Sequence, residues 1–278
     1  MNVRYLAVPA LLALSLSACK IKQEPTGEPL TAGEAQQALE EASVSTEASN
    51  VTAGSIDIAT TFTIGQAVEA AAAEIRDYIV SQLPCAEVTL SGATLSIEYG
   101  AKEGNCTYKG LTYTGTHTIT VSNNEESDVV VEHTWEELSN GRVSVSGEAE
   151  VTWSFDDQTR HVVHELEWTR LSDGRKGIGS GDRTQRPLEG GLTVGFQEDG
   201  NRAWEGQNGR WDLAIQGVQI RWIDPVPQAG KFVLATPKSK TAEMSFSRVD
   251  EDTIKVTVSS GGKSFDFNVS KFGVSADG

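Results

Sequence analysis

Cysteine, positive charge and long apolar runs are all scarce in this 278-residue chain. Its three cysteines include no C-x-x-C spacing, so a redox pair of that kind is not expected. Lys and Arg number 23 against 39 Asp and Glu, a net charge of −16. Such a polyanion repels phosphate backbones and gains nothing from counterion release, which disfavours nucleic acid as a partner and electrostatic adhesion to anionic lipid. After the first twenty residues no stretch approaches the roughly 20 apolar residues that span a bilayer, so no transmembrane helix is expected. No G-x-G-x-x-G, Walker loop, H-E-x-x-H or EF-hand pattern occurs, and no cofactor is expected.

What is present begins at the N-terminus. Arg4 precedes an apolar run from Leu6 to Leu16, broken by Pro9 and Ser15, of the length of a secretory h-region. Leu16-Ser17-Ala18-Cys19 closes it, and this tetrapeptide resembles the lipobox of bacterial lipoproteins. The resemblance, confined to residues 1 to about 20, implies acylation of the Cys19 thiol, cleavage before it, and removal of residues 1–18 as signal peptide. Lys20, where an aspartate would signal inner-membrane retention, implies a lipid-anchored outer-membrane protein, with the membrane face left open. Loss of Arg4 leaves 22 basic side chains against 39 acidic, so the mature chain carries −17. Acyl chains must then do the anchoring, at roughly 0.8 kcal/mol per buried methylene.

Residues 19–34 are polar, with two prolines and two glycines, and read as a flexible tether. Residues 35–84 read as a helical segment. Its first part, 35–43, has helix formers but little to bury; its main helix, 64–83, opens on a Thr63-Ile64-Gly65-Gln66 capping box and ends at Pro84. Ile64, Ala67, Val68, Ala71, Ile75, Ile79 and Leu83 line one face of that helix. From residue 85 to 278 the apolar period becomes 2. Val143, Val145, Gly147, Ala149, Val151, Trp153 and Phe155 alternate with a wholly polar second face, the pattern of an antiparallel strand with one side in water. Ser91-Gly92-Ala93, Asn140-Gly141, Asp156-Asp157-Gln158 and Gly261-Gly262 supply turns, and a parity change after Ile215 predicts a bulge at Gly217. Residues 172–191, rich in glycine and charge, read as a long loop or a seam. Cys85 and Cys106, in an oxidising compartment, most simply form one disulfide. The expected architecture is mainly β: a large twisted antiparallel sheet of about ten strands, curled, half-barrel or sandwich, with one N-terminal amphipathic helix packed on it.

Candidate sites are few. His117, His133 and His164 share the apolar parity of their strands. Simple hairpin registers place His117 opposite His133, both His133 and Trp168 opposite Gly147, and His164 opposite Val151. That separates His164 from His133 by roughly 15 Å, too far to share a metal. Gly179-Ser180-Gly181-Asp182 has the look of a nucleophile turn, but no helix pattern follows it. Paired carboxylates at Glu136-Glu137, Asp156-Asp157 and Asp250-Glu251-Asp252 read as solvated turns. Trp204, Trp211 and Trp222 lie among Arg202, Arg210 and Arg221, a composition that marks binding surfaces and equally marks sheet packing with arginine caps. No catalytic set emerges. The expectation is a non-catalytic envelope module that binds a protein or glycan, or is structural; the alternatives are a lipid or lipoprotein carrier with an apolar groove between helix and sheet, and a hydrolase without a recognisable triad.

Overall fold

The computed structural model describes residues 28–59, 68–124, 128–154, 158–191, 194–224, 226–270 and 273–276. Two helices come first, α1 (Ala32–Ala59) and α2 (Val68–Gln82). The strands that follow are β1 (Glu87–Ser91), β2 (Thr94–Tyr99), β3 (Thr107–Tyr108), β4 (Leu111–Thr112), β5 (Thr114–Asn123), β6 (Val129–Ser139), β7 (Val143–Ser154) and β8 (Thr159–Arg170). The chain continues through β9 (Lys176–Pro187), β10 (Gly195–Gly206), β11 (Gly209–Arg221), β12 (Ala229–Ala235), β13 (Thr241–Arg248), β14 (Thr253–Ser260), β15 (Lys263–Ser270) and β16 (Gly273–Ala276). Fourteen of these strands make one open antiparallel sheet, each paired to its neighbour in sequence apart from the small β3–β4 hairpin, which stands outside it.

The turns are those the local residues dictate. Gly92-Ala93 closes β1 on β2, and Gly261-Gly262, both at positive φ, closes β14 on β15. The bulge at Gly217 is present: Trp211, Leu213 and Ile215 face inward, the register slips, and Val218 continues the same buried face. At φ +57° the glycine N–H donates to Asp199 Oδ1 at 2.7 Å.

Residues 172–191 are not a seam. They contain β9, a strand in the middle of the sheet. Its glycines make room rather than turns. A Cβ on Gly177 would sit 2.5 Å from Trp168 Cζ2 and one on Gly179 2.9 Å from Cη2, so the Trp168 indole lies flat across β9 where side chains would stand. A Cβ on Gly181 would meet the His164 ring in the same way.

The helical layer differs more. α2 lies where an amphipathic helix was expected, with Ala71, Ala72, Ile75 and Ile79 buried toward the first strands; the Thr63–Gln66 capping box falls outside the described residues. The dominant helix is α1, 28 residues where residues 35–43 promised little. It begins on a capping box of its own: Glu34 N–H donates to Thr31 Oγ1 at 3.2 Å and Thr31 N–H donates to Glu34 Oε2 at 2.9 Å. The expected tether, 19–34, does not run to residue 34, because Leu30 is already buried and its N–H donates to Ser260 Oγ.

α1 runs across the strands inside a curled sheet. Glu34 pairs with Lys240 between β12 and β13, Glu41 accepts from Asn208 between β10 and β11, and Glu47 pairs with Arg142 between β6 and β7. Thirteen helical residues cover about 20 Å. The strands they pass would cover about 29 Å if flat. The sheet is therefore concave around the helix, and Val51 to Ala59 are buried without exception. A helix wrapped on every side has no polar face, and Ser, Thr, Ala and Gly let its backbone approach β6 and β7 closely. Thr52 and Ser55 hydroxyls bond back to carbonyls of their own helix.

Gly54 shows how tight this contact is. A Cβ there would collide with the Tyr113 hydroxyl, and that hydroxyl has no hydrogen-bond partner. Gly54→Ala is expected to cost about 2 kcal/mol through overpacking. With Tyr113→Phe added, the next atoms stand at 3.5 Å or beyond, ordinary contact, and alanine's helix propensity is worth up to about 1 kcal/mol over glycine. The double variant should therefore equal or exceed the parent in a urea titration; additive losses would contradict this packing.

Cys85 and Cys106 are bridged, with Cα atoms 5.3 Å apart and a sequence separation of 21. The closed loop is worth about 3 kcal/mol in the chain-entropy account. It also fixes the root of the β3–β4 hairpin, whose Lys109 and Tyr108 both reach Asp57 near the C-terminal end of α1.

Candidate functional site

The polar interior lies on the concave face of β5–β10 beneath α1. Around the three histidines each hairpin register is two residues away from the simple expectation, which keeps those side chains on their predicted face but changes their neighbours. His117 lies opposite Trp135, His133 opposite Ala149, and Trp168 opposite Val145. A slip between Trp135 and Leu138, with Glu137 at φ +52°, accompanies the shift. His164 is also opposite Ala149, so His133 and His164 flank one alanine at about 10 Å rather than 15 Å. The distance argument against a shared metal thus does not hold, and both His117 nitrogens, His133 Nδ1 and His164 Nδ1 are engaged in another way. Among the described residues no group of three or more His, Cys, Asp or Glu gathers as a metal set.

Tyr99 Oη lies 3.1 Å from His117 Nδ1, and His117 Nε2 lies 2.9 Å from His133 Nδ1. The His117, His133 and Trp135 rings stack at 5.1 to 5.6 Å, and Trp135 Nε1 donates to Ser55 Oγ of α1 at 3.0 Å. His164 Nδ1 accepts from Arg183 Nη2 at 3.1 Å; a guanidinium only donates, so the His164 proton is on Nε2. All three imidazoles are held neutral. Burial drives His117 well below the usual histidine value, with His133 adding to the effect. Burial and then Arg160 bring His133 down to about 3, and burial followed by Arg183 and Arg202 brings His164 to about 2.

Beside them is a charged group that alternation alone did not single out. Arg160, Arg183 and Arg202 project inward from β8, β9 and β10, none more than 5 % exposed. Arg160 donates through Nε and Nη2 to Gln185 Oε1, and Gln185 Nε2 donates to Glu198 Oε2 at 2.7 Å. Arg183 Nη1 donates to the same carboxylate oxygen at 3.3 Å. Arg202 reaches α1, donating to Ser49 Oγ at 2.7 Å, Ser45 O and Thr46 Oγ1. A sequence signal for these residues existed: each shares the inward parity of neighbouring core residues, Arg202 with Trp204 and Arg160 with Val162.

The tryptophan and arginine group, read either as a binding surface or as sheet packing with arginine caps, is not one surface. Trp204 and Trp211 are 2 % exposed and stack 6.2 Å apart in the core, and Arg202 is the buried helix contact just described. Arg210 is exposed and pairs with Asp212. Arg221 and Trp222 lie at the other end of β11, about 37 Å away along the strand. There Lys109 Nζ stands 4.0 Å over the Trp222 ring, and Phe196 meets its edge. Ser180 points outward from the middle of β9, not from a turn. The Asp156-Asp157 pair and Cys19 lie outside the described residues.

Two surface depressions stand out among the described residues. One, of about 160 Å³, lies at the start of α1 between Glu34, Gln37, Trp211 and Lys238. The other, of about 410 Å³, is a mixed polar hollow on the convex face between Glu137, Glu167, Ile178 and Glu205. Under α2, where a carrier's groove would lie, Ile75, Ile79 and Leu83 are fully buried. No described helix is long and apolar enough to cross a membrane. No protein-family model, curated protein or solved structure matches the chain.

Proposed function

We propose that this chain is a lipid-anchored, non-catalytic module of the bacterial outer envelope, held at the membrane through acylated Cys19 and presenting a rigid, acidic curved sheet for binding or structural support. The observation that carries the non-catalytic part is the filling of the concave face. Nine consecutive residues of α1 are buried there, and His117, His133 and His164 lie buried and hydrogen-bonded within that interior. The lipid part rests on Leu16-Ser17-Ala18-Cys19. Its partner would be an envelope protein or glycan meeting the outer surface, since the interior is occupied.

Two measurements test this. Full-length protein made in a bacterium with labelled palmitate is expected to carry label and to need detergent for release from membranes, whereas Cys19→Ser carries none and retains its signal peptide. Equal labelling of both, or none in either, would remove the lipoprotein reading. Native mass spectrometry of the mature chain is expected to show the acylated polypeptide alone; an additional lipid or acylated peptide, lost in organic solvent, would replace the module with a carrier.

A further inference from the structure

Strand register arranges the buried charges as a grid on the concave face. Arg160, Gln185 and Glu198 form one row across β8, β9 and β10; Val162, Arg183 and Gly200 form the next; His164, Gly181 and Arg202 form the third. Arg183 is the centre, and its lateral neighbours are a valine and a glycine that offer it no acceptor.

Among the described residues the charges in this region do not balance. Arg160, Arg183, Arg202 and Lys109 carry four positive charges against the two of Glu198 and Asp57. Asp57 is engaged by Lys109 at 2.7 Å, and the acceptors of Arg202 are two hydroxyls and a carbonyl, all neutral. Burial, the largest influence, brings Arg160 and Arg202 down to about 10, still protonated at neutral pH; Asp57 and Glu198 support Arg160 and Glu198 supports Arg202, while Arg183 opposes both. An uncompensated ion in a protein interior costs several kcal/mol. Nor are the donors used up. Among the described residues Arg160 Nη1, Arg183 Nε and Arg202 Nε each lack a hydrogen-bond partner, and so does His133 Nε2 one strand beyond β7. A native interior leaves few such groups orphaned, and a cluster of charged ones is a place for a bound acceptor.

We propose that this cluster binds one small inorganic anion beneath α1, with Arg160 Nη1 and Arg183 Nε as its charged donors and Arg202 as the flanking charge. A water molecule would satisfy an N–H but leave the charge excess untouched. A bulky organic anion would have to displace α1, whose Ser45, Thr46 and Ser49 already occupy Arg202. The site stands independently of lipidation. It makes the anion a structural component that compensates the positive interior of a strongly negative protein.

The test is thermal unfolding of the full mature protein at constant ionic strength, with gluconate, too large to enter, as reference against chloride, bromide and phosphate. At least one of the small anions is expected to stabilise saturably, lowering the unfolding constant about elevenfold at ten times its dissociation constant. Arg183→Met should abolish the dependence. Should that variant not fold, crystals of the parent soaked in the stabilising anion, with bromide standing in for a halide, decide the matter, with that anion in contact with Arg160 and Arg183 expected. Equal midpoints in all salts, retained dependence in Arg183→Met, or water alone at those donors in that crystal would each overturn the proposal. Whether a halide or phosphate gives the saturable response identifies the anion.

Discussion

Acidification from about pH 7.5 to about pH 5 is expected to remove roughly 6 kcal/mol of stability. His117, His133 and His164 are neutral in the fold because burial holds their protonation far below the ordinary range. In the unfolded chain each regains a pKa near 6.5. The unfolded state therefore binds more protons throughout the window between the depressed values and about 6.5, and stability rises with pH across it. Above the unfolded pKa this contribution is complete; it is lost progressively as pH falls toward the folded values. At about pH 5 each histidine contributes a loss of about 2 kcal/mol, set by its unfolded pKa because the folded one lies lower still. A domain with a total stability of about 5–15 kcal/mol has little left after such a loss. Urea midpoints measured from about pH 7.5 down to about pH 5 should fall with a slope approaching three protons per pH unit below about pH 6. His164→Gln should reduce that slope by one proton. A slope of one or less in the parent would show that the imidazoles are not buried neutral.

Removing the carboxylate of Glu198 has the largest expected effect among single substitutions. Its side chain is 4 % exposed, and one oxygen serves both Arg183 directly and Arg160 through Gln185. Glu198→Leu leaves Arg183 without its carboxylate partner and Gln185 without its acceptor, at a cost of about 3–5 kcal/mol. The pair itself is not the source of that figure; the isolated charge is. Glu198→Leu combined with Arg183→Met should therefore be more stable than Glu198→Leu alone, with a coupling above about 2 kcal/mol in a double-mutant cycle. Additive losses would mean that the arginines are compensated elsewhere.

The contrast between β7 and α1 shows where sequence reading succeeds. In β7 polar and apolar residues alternate because one face meets solvent, so the pattern announces the element. In α1 Val51 to Ala59 are buried on every side, and no face is left to be polar. Serine, threonine and glycine there weaken helix propensity further, and only the Thr31-x-x-Glu34 cap marks the start. β9 is the converse case. Its glycines resemble a loop, yet Trp168 and His164 supply from β8 the side chains that cover them.

The mainly β class, the inward parity of strands such as β7 and β8, the Gly217 bulge and the Cys85–Cys106 pairing all follow from local sequence, because period, turn chemistry and cysteine number are local properties. The same is true of the lipobox resemblance on which the anchoring proposal rests. The neighbours of His133, the burial of Trp204 and Trp211, and the gathering of Arg160, Arg183 and Arg202 around Glu198 were decided only when the sheet curled around α1. A shift of two residues in a hairpin preserves every inward face and changes every contact. Register therefore depends on the whole packed interior, and the chemistry of this interior depends on register.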